Sequence, residues 1–209
     1  MRKLMSKEKI NKLMDNLNQR KINSYYAETF EEAVDEILNL IPKDSLVGIG
    51  NSVTLKRMDI TNILTKRGNK VLDKTMAKTK EEVRELKRKS LLTDWYITGT
   101  NAISIDGHII NVDHSGNRVA AMIYGPDKVI IVVGENKITN SLEEAIYRVK
   151  NIASPKNAKR AGFNPPCVEL GRCVDCKSPD RVCNSLVIIE GQHDKDRMIV
   201  IIVGEEEGF

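Results

Sequence analysis

One segment near the middle of the chain limits the possible folds more than any other. Residues 128–133 read KVIIVV, an almost continuously apolar run between Pro126 and Gly134. A strand of this composition is expected to be buried on both faces, as in a sheet that helices cover on two sides. The rest of the chain must therefore supply both neighbouring strands and covering helices.

The flanking sequence alternates between helical and strand periods, as that architecture requires. Apolar residues recur at helical spacing from Ile10 to Leu17, which predicts an N-terminal helix within residues 1–20. Thr29 with Glu32 resembles a capping box. Strands are predicted at residues 21–27, 45–49, 70–72, 95–98, 186–189 and 198–203, and helices at 29–41, 52–59, 79–90 and 141–152. We expect a single α/β domain over residues 1–209, with a mostly parallel sheet and helices on both faces.

An antiparallel hairpin is predicted as an insert in this pattern. Residues 102–111 alternate around Asp106 and Gly107, a pair that is typical of a tight hairpin turn. Residues 119–124 are apolar and are expected to add a third antiparallel strand.

Composition excludes several classes of function. Lys and Arg number 33 against 29 Asp and Glu, a net charge of +4, and only 4% of residues are aromatic. A nucleic-acid binder usually has a larger, clustered basic excess, so no nucleic acid is expected as a partner. No apolar run approaches the roughly 18 residues of a membrane span, and the charged start lacks a hydrophobic signal segment. We expect a cytoplasmic protein that does not bind membranes.

The four cysteines form the most specific chemical signal. The pattern C-x5-C-x2-C-x6-C within residues 164–184 is formed by Cys167, Cys173, Cys176 and Cys183. Disulfides are rare in the cytosol, and a chain of this length needs no such staple. Thiolates are the preferred ligands of zinc and of iron–sulfur clusters. The segment is therefore predicted to be a metal-binding loop, with free thiols as the plain alternative.

The spacing leaves the choice of metal open. Structural zinc usually takes two short knuckles, and only Cys173 and Cys176 form one. The longer gaps suit a [4Fe–4S] cube, whose ligands approach from four corners. An iron–sulfur cluster is expected ahead of zinc.

A glycine-rich turn follows the predicted strand at residues 45–49. Gly48, Gly50, Asn51 and Ser52 stand between that strand and a helix, where backbone amides can meet a phosphate or carboxylate. The glycines can equally serve only the geometry of the turn. The pattern is neither GxGxxG nor a Walker motif, so no nucleotide cofactor is predicted.

Polar residues concentrate on both sides of the hairpin. Asn101 precedes it, and Asn117 and Arg118 follow it, so all three are candidate ligand-binding residues, with Arg118 as an anion clamp. Asp106 and Asp113 are the carboxylates best placed by sequence to move a proton. The alternative for Asp106 is a purely structural role in the hairpin turn.

The segment from Thr98 to Pro126 resembles the signature of the lactate-utilisation (LUD) domain family, as do residues 47–52 and 128–138. The cysteine segment resembles a cysteine-bearing branch of that family. The resemblance implies a fold similar to the sugar-phosphate isomerase and CoA-transferase superfamily, in which residues 48–52 correspond to a ligand-binding loop. It also implies a role in lactate oxidation beside iron–sulfur or flavin partner proteins. No counterpart of the CoA-transferase glutamate is evident, because Asp106 stands near that position.

Three functions follow as hypotheses. The first is a redox accessory protein with a four-cysteine iron–sulfur or zinc site and a small-anion pocket. The second is an isomerase or acyl-transfer type enzyme that acts on a phosphate- or carboxylate-bearing small molecule and carries a structural zinc. The third is a non-catalytic module that docks a partner. A homo-oligomer is compatible with each of them.

Overall fold

The computed structural model describes residues 5–206 and 208–209. The strands are Asn23–Ala27 (β1), Leu46–Ile49 (β2), Lys70–Asp73 (β3), Trp95–Gly99 (β4), Ala102–Ser104 (β5), Ile109–Asp113 (β6), Lys128–Gly134 (β7), Ile138–Thr139 (β8), Ser185–Ile189 (β9) and Met198–Val203 (β10). The α-helices are Lys7–Gln19 (α1), Phe30–Leu40 (α2), Val53–Arg57 (α3), Ile60–Arg67 (α4), Lys80–Lys89 (α5), Asn117–Ile123 (α6), Leu142–Arg148 (α7), Ser154–Arg160 (α8) and Pro166–Leu170 (α9). Short 3-10 turns cover Lys74–Met76, Ser90–Leu92 and Glu135–Lys137, and a π-helical turn, Val149–Ala153, joins α7 to α8.

A six-stranded parallel sheet with the order β1-β10-β7-β4-β2-β3 forms the centre of the fold. β7 lies inside it, and residues 129–133 are fully buried, as the apolar run predicts. Val129 and Ile131 face one core of the protein and Ile130 faces the other. The mostly parallel α/β sheet expected from the sequence is confirmed.

Different elements cover the two faces of this sheet. On one face, apolar residues of α2, α3 and α4 pack against β2, β7 and β10. On the other face, α1 and α6 pack beside a second sheet, with Leu13 and Leu17 of α1 fully buried there. Within the described residues, no helix combines the length and the apolar character that crossing a membrane requires.

The second sheet contains the predicted hairpin and has the order β8-β5-β6-β9. β5 and β6 pair antiparallel, which confirms the hairpin. The expected third strand at residues 119–124 is wrong, because that segment is helix α6 and β9 pairs with β6 instead. Gly116 turns the chain with a φ of 76°, and the Asp113 carboxylate accepts a hydrogen bond from the Arg118 amide at 3.0 Å. These local contacts start a helix, which then buries Val119 and Met122 at helical spacing.

Other boundaries differ modestly from the expectation. The helix predicted at residues 52–59 is the shorter α3, and α4 follows it after Asp59, whose φ is 52°. The N-terminal helix begins at Lys7, and residues 1–4 lie outside the described part of the chain. The cysteine segment, expected as a loop, contains the short helix α9.

Candidate functional site

A pocket opens at the carboxyl edge of the six-stranded sheet, between β2 and β4. The chain runs from β2 outward to β3 and then returns to place β4 on the other side of β2. The strand ends between two such diverging connections form the crevice in which open α/β sheets bind ligands. Ser52 follows β2 and Asn101 follows β4, and both line this pocket of about 200 Å³.

Six of the candidate residues predicted from the sequence meet on the pocket wall: Asn51, Ser52, Asn101, Asp113, Asn117 and Arg118. They come from the ends of β2, β4 and β6 and from the start of α6. His114 lines the pocket as well and packs edge-on against Phe163, with 5.2 Å between the ring centroids.

The side chain of Arg118 forms hydrogen bonds to several groups around the pocket. One guanidinium nitrogen, Nη1, donates to the Gly99 carbonyl at 3.0 Å and to Asn111 Oδ1 at 2.5 Å. The other, Nη2, donates to Asn101 Oδ1 at 3.0 Å and to the Val112 carbonyl at 2.9 Å. Its Nε lies 3.7 Å from Asp113 Oδ1. The guanidinium therefore ties the ends of β4 and β6 together behind the pocket.

The remaining predicted residues lie elsewhere. Asp106 is exposed in the turn between β5 and β6, where its carbonyl accepts a hydrogen bond from Arg20 at 2.7 Å, and it is not on the pocket wall. Gly48 lies within β2, where a Cβ would stand 2.9 Å from Tyr96 Cδ2. At Gly50 a Cβ would stand 2.5 Å from Thr98 Oγ1, so close packing between β2 and β4 requires glycine there.

Four basic side chains on the pocket wall are not among the residues predicted from the sequence: Lys74, Lys87, Lys137 and Arg160. Lys74 directly follows β3, and Lys137 ends the 3-10 turn after β7. Their places just beyond the carboxyl ends of strands are the signal that could have identified these two residues. The strand neighbours had to be known before that signal could be used.

The pocket is therefore basic despite the nearly balanced charge of the chain. Five cationic side chains and one carboxylate side chain, that of Asp113, belong to its lining among the described residues. Desolvation by burial lowers the pKa of Lys74, and the nearby charges of Lys87 and Arg160 lower it further, while Asp113 and Asp73 act in the opposite direction. An anion in the pocket would meet a stronger positive potential than the same charges would create on an open, fully hydrated surface.

The cysteine segment lies beside the pocket. Cys167 is buried in α9, and the other three cysteines are partly exposed in the irregular chain that follows. The amide of Cys173 donates to Asn151 Oδ1 on the π-helical turn at 2.9 Å. Arg181 donates to the carbonyls of Cys176 at 2.7 Å and Cys183 at 3.2 Å. These contacts fold the segment into one loop.

The donor set of this loop fits a four-thiolate metal group, although the thiols are not gathered into ligating positions. All four are free, and burial, followed by the charges of the other three cysteines, raises the pKa of Cys167. In the described part of the chain, no group of three or more His, Cys, Asp or Glu side chains stands in metal-binding geometry. Metal binding free energy is available to order such ligands.

The loop and the pocket share one wall. Val182 lines the pocket and is followed directly by Cys183. The next residue, Asn184, donates from its amide to the Asp113 carbonyl and from its side chain to the His114 carbonyl, each at 3.0 Å. Groups bound to the loop and to the pocket would therefore be neighbours.

Comparison with known proteins agrees with this architecture. The sequence profile of the LUD domain matches residues 10–203. A DUF162 family protein from Deinococcus radiodurans has a similar fold, with a TM-score of 0.54 at 20% identity over 96% of this chain and 99% of that chain. Ribose 5-phosphate isomerase A from Methanocaldococcus jannaschii has a TM-score of 0.40 at 13% identity, over 76% of each chain. The enzyme from Neisseria gonorrhoeae has a TM-score of 0.40 at 15% identity, over 87% of this chain and 96% of that chain. No curated protein matches the sequence significantly.

Proposed function

Because the chain belongs to the LUD domain family, we propose that it is a lactate-utilisation-like redox accessory protein with a small-anion pocket and a four-cysteine iron–sulfur site. The observation that carries the proposal is the wall that the pocket and the cysteine loop share. It runs from Val182 in the pocket through Cys183 to Asn184. A redox group held beside a ligand pocket is the arrangement that an electron-transfer function needs.

The anion-binding half of the proposal is supported by charge and position. The pocket lies at the point of the sheet where α/β proteins commonly bind ligands. Its lining, as far as the structure describes the chain, contains five cationic side chains and one carboxylate side chain. Arg118 holds the strand ends in place, so the surrounding donors keep fixed positions before a ligand arrives.

The metal-binding half rests on the donor chemistry of the loop. Cys167, Cys173, Cys176 and Cys183 would hold the cluster, and a cluster bound there supplies one-electron transfer. Arg181, which already binds the carbonyls of two of these residues, would offset part of the negative charge of the thiolates. The electrons would pass to or from iron–sulfur or flavin partner proteins.

The deciding experiment is preparation of the protein without oxygen, followed by iron, sulfide and zinc analysis. We expect about four irons and four sulfides per chain, with broad visible absorbance. Cys176→Ser should lower the iron content, whereas Val174→Ala in the same loop should not. Stoichiometric zinc without sulfide, or no metal at all, would contradict the iron–sulfur assignment.

A second candidate function is favoured by one feature of the pocket. Asp113 places a carboxylate on the wall of a basic pocket, where it could move a proton on a bound phosphate or carboxylate compound. This would make the protein an isomerase or acyl-transfer type enzyme with a structural zinc in the loop. Zinc in the metal analysis, together with turnover that Asp113→Asn abolishes, would establish this alternative.

A further inference from the structure

Three of the basic side chains on the pocket wall are not paired with a carboxylate of the described residues. Lys74 comes from the turn after β3, Lys87 from α5 and Arg160 from the end of α8. Across residues 5–206 and 208–209, none of the three forms an ion pair. Lys87 Nζ donates to Ser115 Oγ at 3.1 Å, and Arg160 donates to Asn157 Oδ1 at 2.8 Å. Both partners are neutral.

This arrangement is unfavourable in the empty protein. Like charges that share a site repel one another, and burial of a charged group without a counter-ion costs free energy. Lys74 is partly buried and carries both penalties. The carboxylate of Asp113 relieves them only in part, because it also faces Arg118 Nε at 3.7 Å and accepts from the Arg118 amide at 3.0 Å.

Building on the proposed anion pocket, we infer that Lys74, Lys87 and Arg160 form a subsite for a doubly charged oxyanion, the phosphate group of a small phosphate monoester. Three cations from three separate elements can surround a tetrahedral group, whereas a single carboxylate offers two oxygens in one plane. Arginine and lysine donors form short, charge-assisted hydrogen bonds to phosphate oxygens. The space of about 200 Å³ suits a compact ligand.

The charge of the three cations favours a phosphate monoester over a simple hydroxy acid as the ligand. Lactate carries one negative charge and would leave two of the three cations unmatched. A phosphate monoester carries a charge of about −1.5 to −2 at neutral pH, which balances most of the cluster. Of the turn at residues 48–52, only the uncharged Asn51 and Ser52 line the pocket, so the charge that such a ligand meets comes from the cationic side chains of the wall.

Isothermal titration of the full chain with methyl phosphate and with lactate tests the assignment. The variants are Lys74→Met, Lys87→Gln and Arg160→Gln. Their matched controls are the exposed Lys89→Gln on α5 and Lys156→Gln on α8. We expect tighter binding of methyl phosphate than of lactate. Each subsite variant should weaken phosphate binding about tenfold or more, as loss of a hydrogen bond to a charged group does, and the controls should change it less than about twofold.

Thermal unfolding without any anion distinguishes a ligand-binding role of Lys74 from a structural role. If the cations serve a ligand, Lys74→Met should leave the midpoint unchanged or raise it, because a repelling charge is removed. If Lys74 instead supports the fold, the midpoint should fall, and the inference is overturned.

The outcomes also separate this inference from the proposed function. Lactate binding at least as tight as that of methyl phosphate, with both affinities insensitive to the three substitutions, would overturn the phosphate subsite and leave the anion pocket standing. Absence of binding by either anion would overturn both the subsite and the pocket. The iron and sulfide analysis is independent of these titrations and decides the metal site separately.

Discussion

Replacement of Arg118 by methionine tests whether this residue organises the pocket or only contacts a ligand. Methionine keeps much of the apolar stem but removes every hydrogen-bond donor. The bonds to the Gly99 carbonyl and to Asn111 Oδ1 are buried, so loss of the guanidinium leaves both acceptors without their donor. An unsatisfied buried acceptor costs about 1–3 kcal/mol, and two of them predict a loss of about 4 kcal/mol.

That loss is a large fraction of the 5–15 kcal/mol, roughly, that stabilises a typical domain. The assay is urea unfolding of the ligand-free protein, followed by circular dichroism, with the thermal midpoint as a second measurement. For a chain of this length we expect the midpoint to fall by about 8–16 °C. Arg118→Lys should lose less, because an ammonium group can satisfy some of the acceptors.

The control is Arg84→Met, an exposed arginine on α5, whose free energy of unfolding should change by less than about 0.5 kcal/mol. If Arg118→Met loses less than about 1 kcal/mol, well under the penalty for two orphaned acceptors, the acceptors do not depend on the guanidinium, and the reasoning is refuted. A variant that keeps its stability but no longer binds an anion would identify Arg118 as a ligand contact only.

Two further predictions concern the strand ends and the basic wall. Gly50→Ala should lower the free energy of unfolding by about 1–3 kcal/mol, because the added Cβ would lie 2.5 Å from Thr98 Oγ1 in the neighbouring strand; an unchanged urea midpoint would contradict this. For Lys74 the folded-state pKa lies below the ordinary 10.5, so the unfolded chain binds more protons and wild-type stability rises with pH in the window below 10.5. Lys74→Met should therefore stabilise the ligand-free protein at neutral pH, with a gain that shrinks as the pH approaches that value. Urea titrations of both proteins across the alkaline range measure this gain in the free energy of unfolding. A gain that grows with pH would show that folding raises the pKa of Lys74 and would contradict the prediction.

Local patterns in the sequence are sufficient to predict those elements whose structure depends on residues close to them in the chain. The run at residues 128–133 predicts a doubly buried strand, and the turn at Asp106 predicts the hairpin; the structure contains both. The strand predicted at residues 119–124 is wrong because an apolar run of that length fits a strand or a helix equally well. The Asp113 carboxylate and the left-handed Gly116 decide for the helix.

The residues of the candidate site likewise fall into two groups, those that sequence neighbours predict and those that only the folded chain brings together. Asn101, Asp113 and Arg118 lie in one polar stretch of the sequence, and the hairpin brings the two ends of that stretch close together. Lys74 and Arg160 escape prediction, since they are far apart in the sequence and meet only through the strand order of the sheet. The adjacency of the cysteine loop to the pocket likewise depends on long-range contacts of Asn184.

The π-helical turn between α7 and α8 sets the direction in which α8 presents its side chains. A π turn closes i→i+5 hydrogen bonds, so it contains one residue more than an α turn. Each residue advances a helix by about 100°, and excision of one residue from Val149–Ala153 would rotate α8 by about that angle relative to α7. Asn157 and Arg160, which both line the pocket, would then turn away from it. The one extra residue of the π turn therefore decides whether α8 presents Asn157 and Arg160 to the pocket.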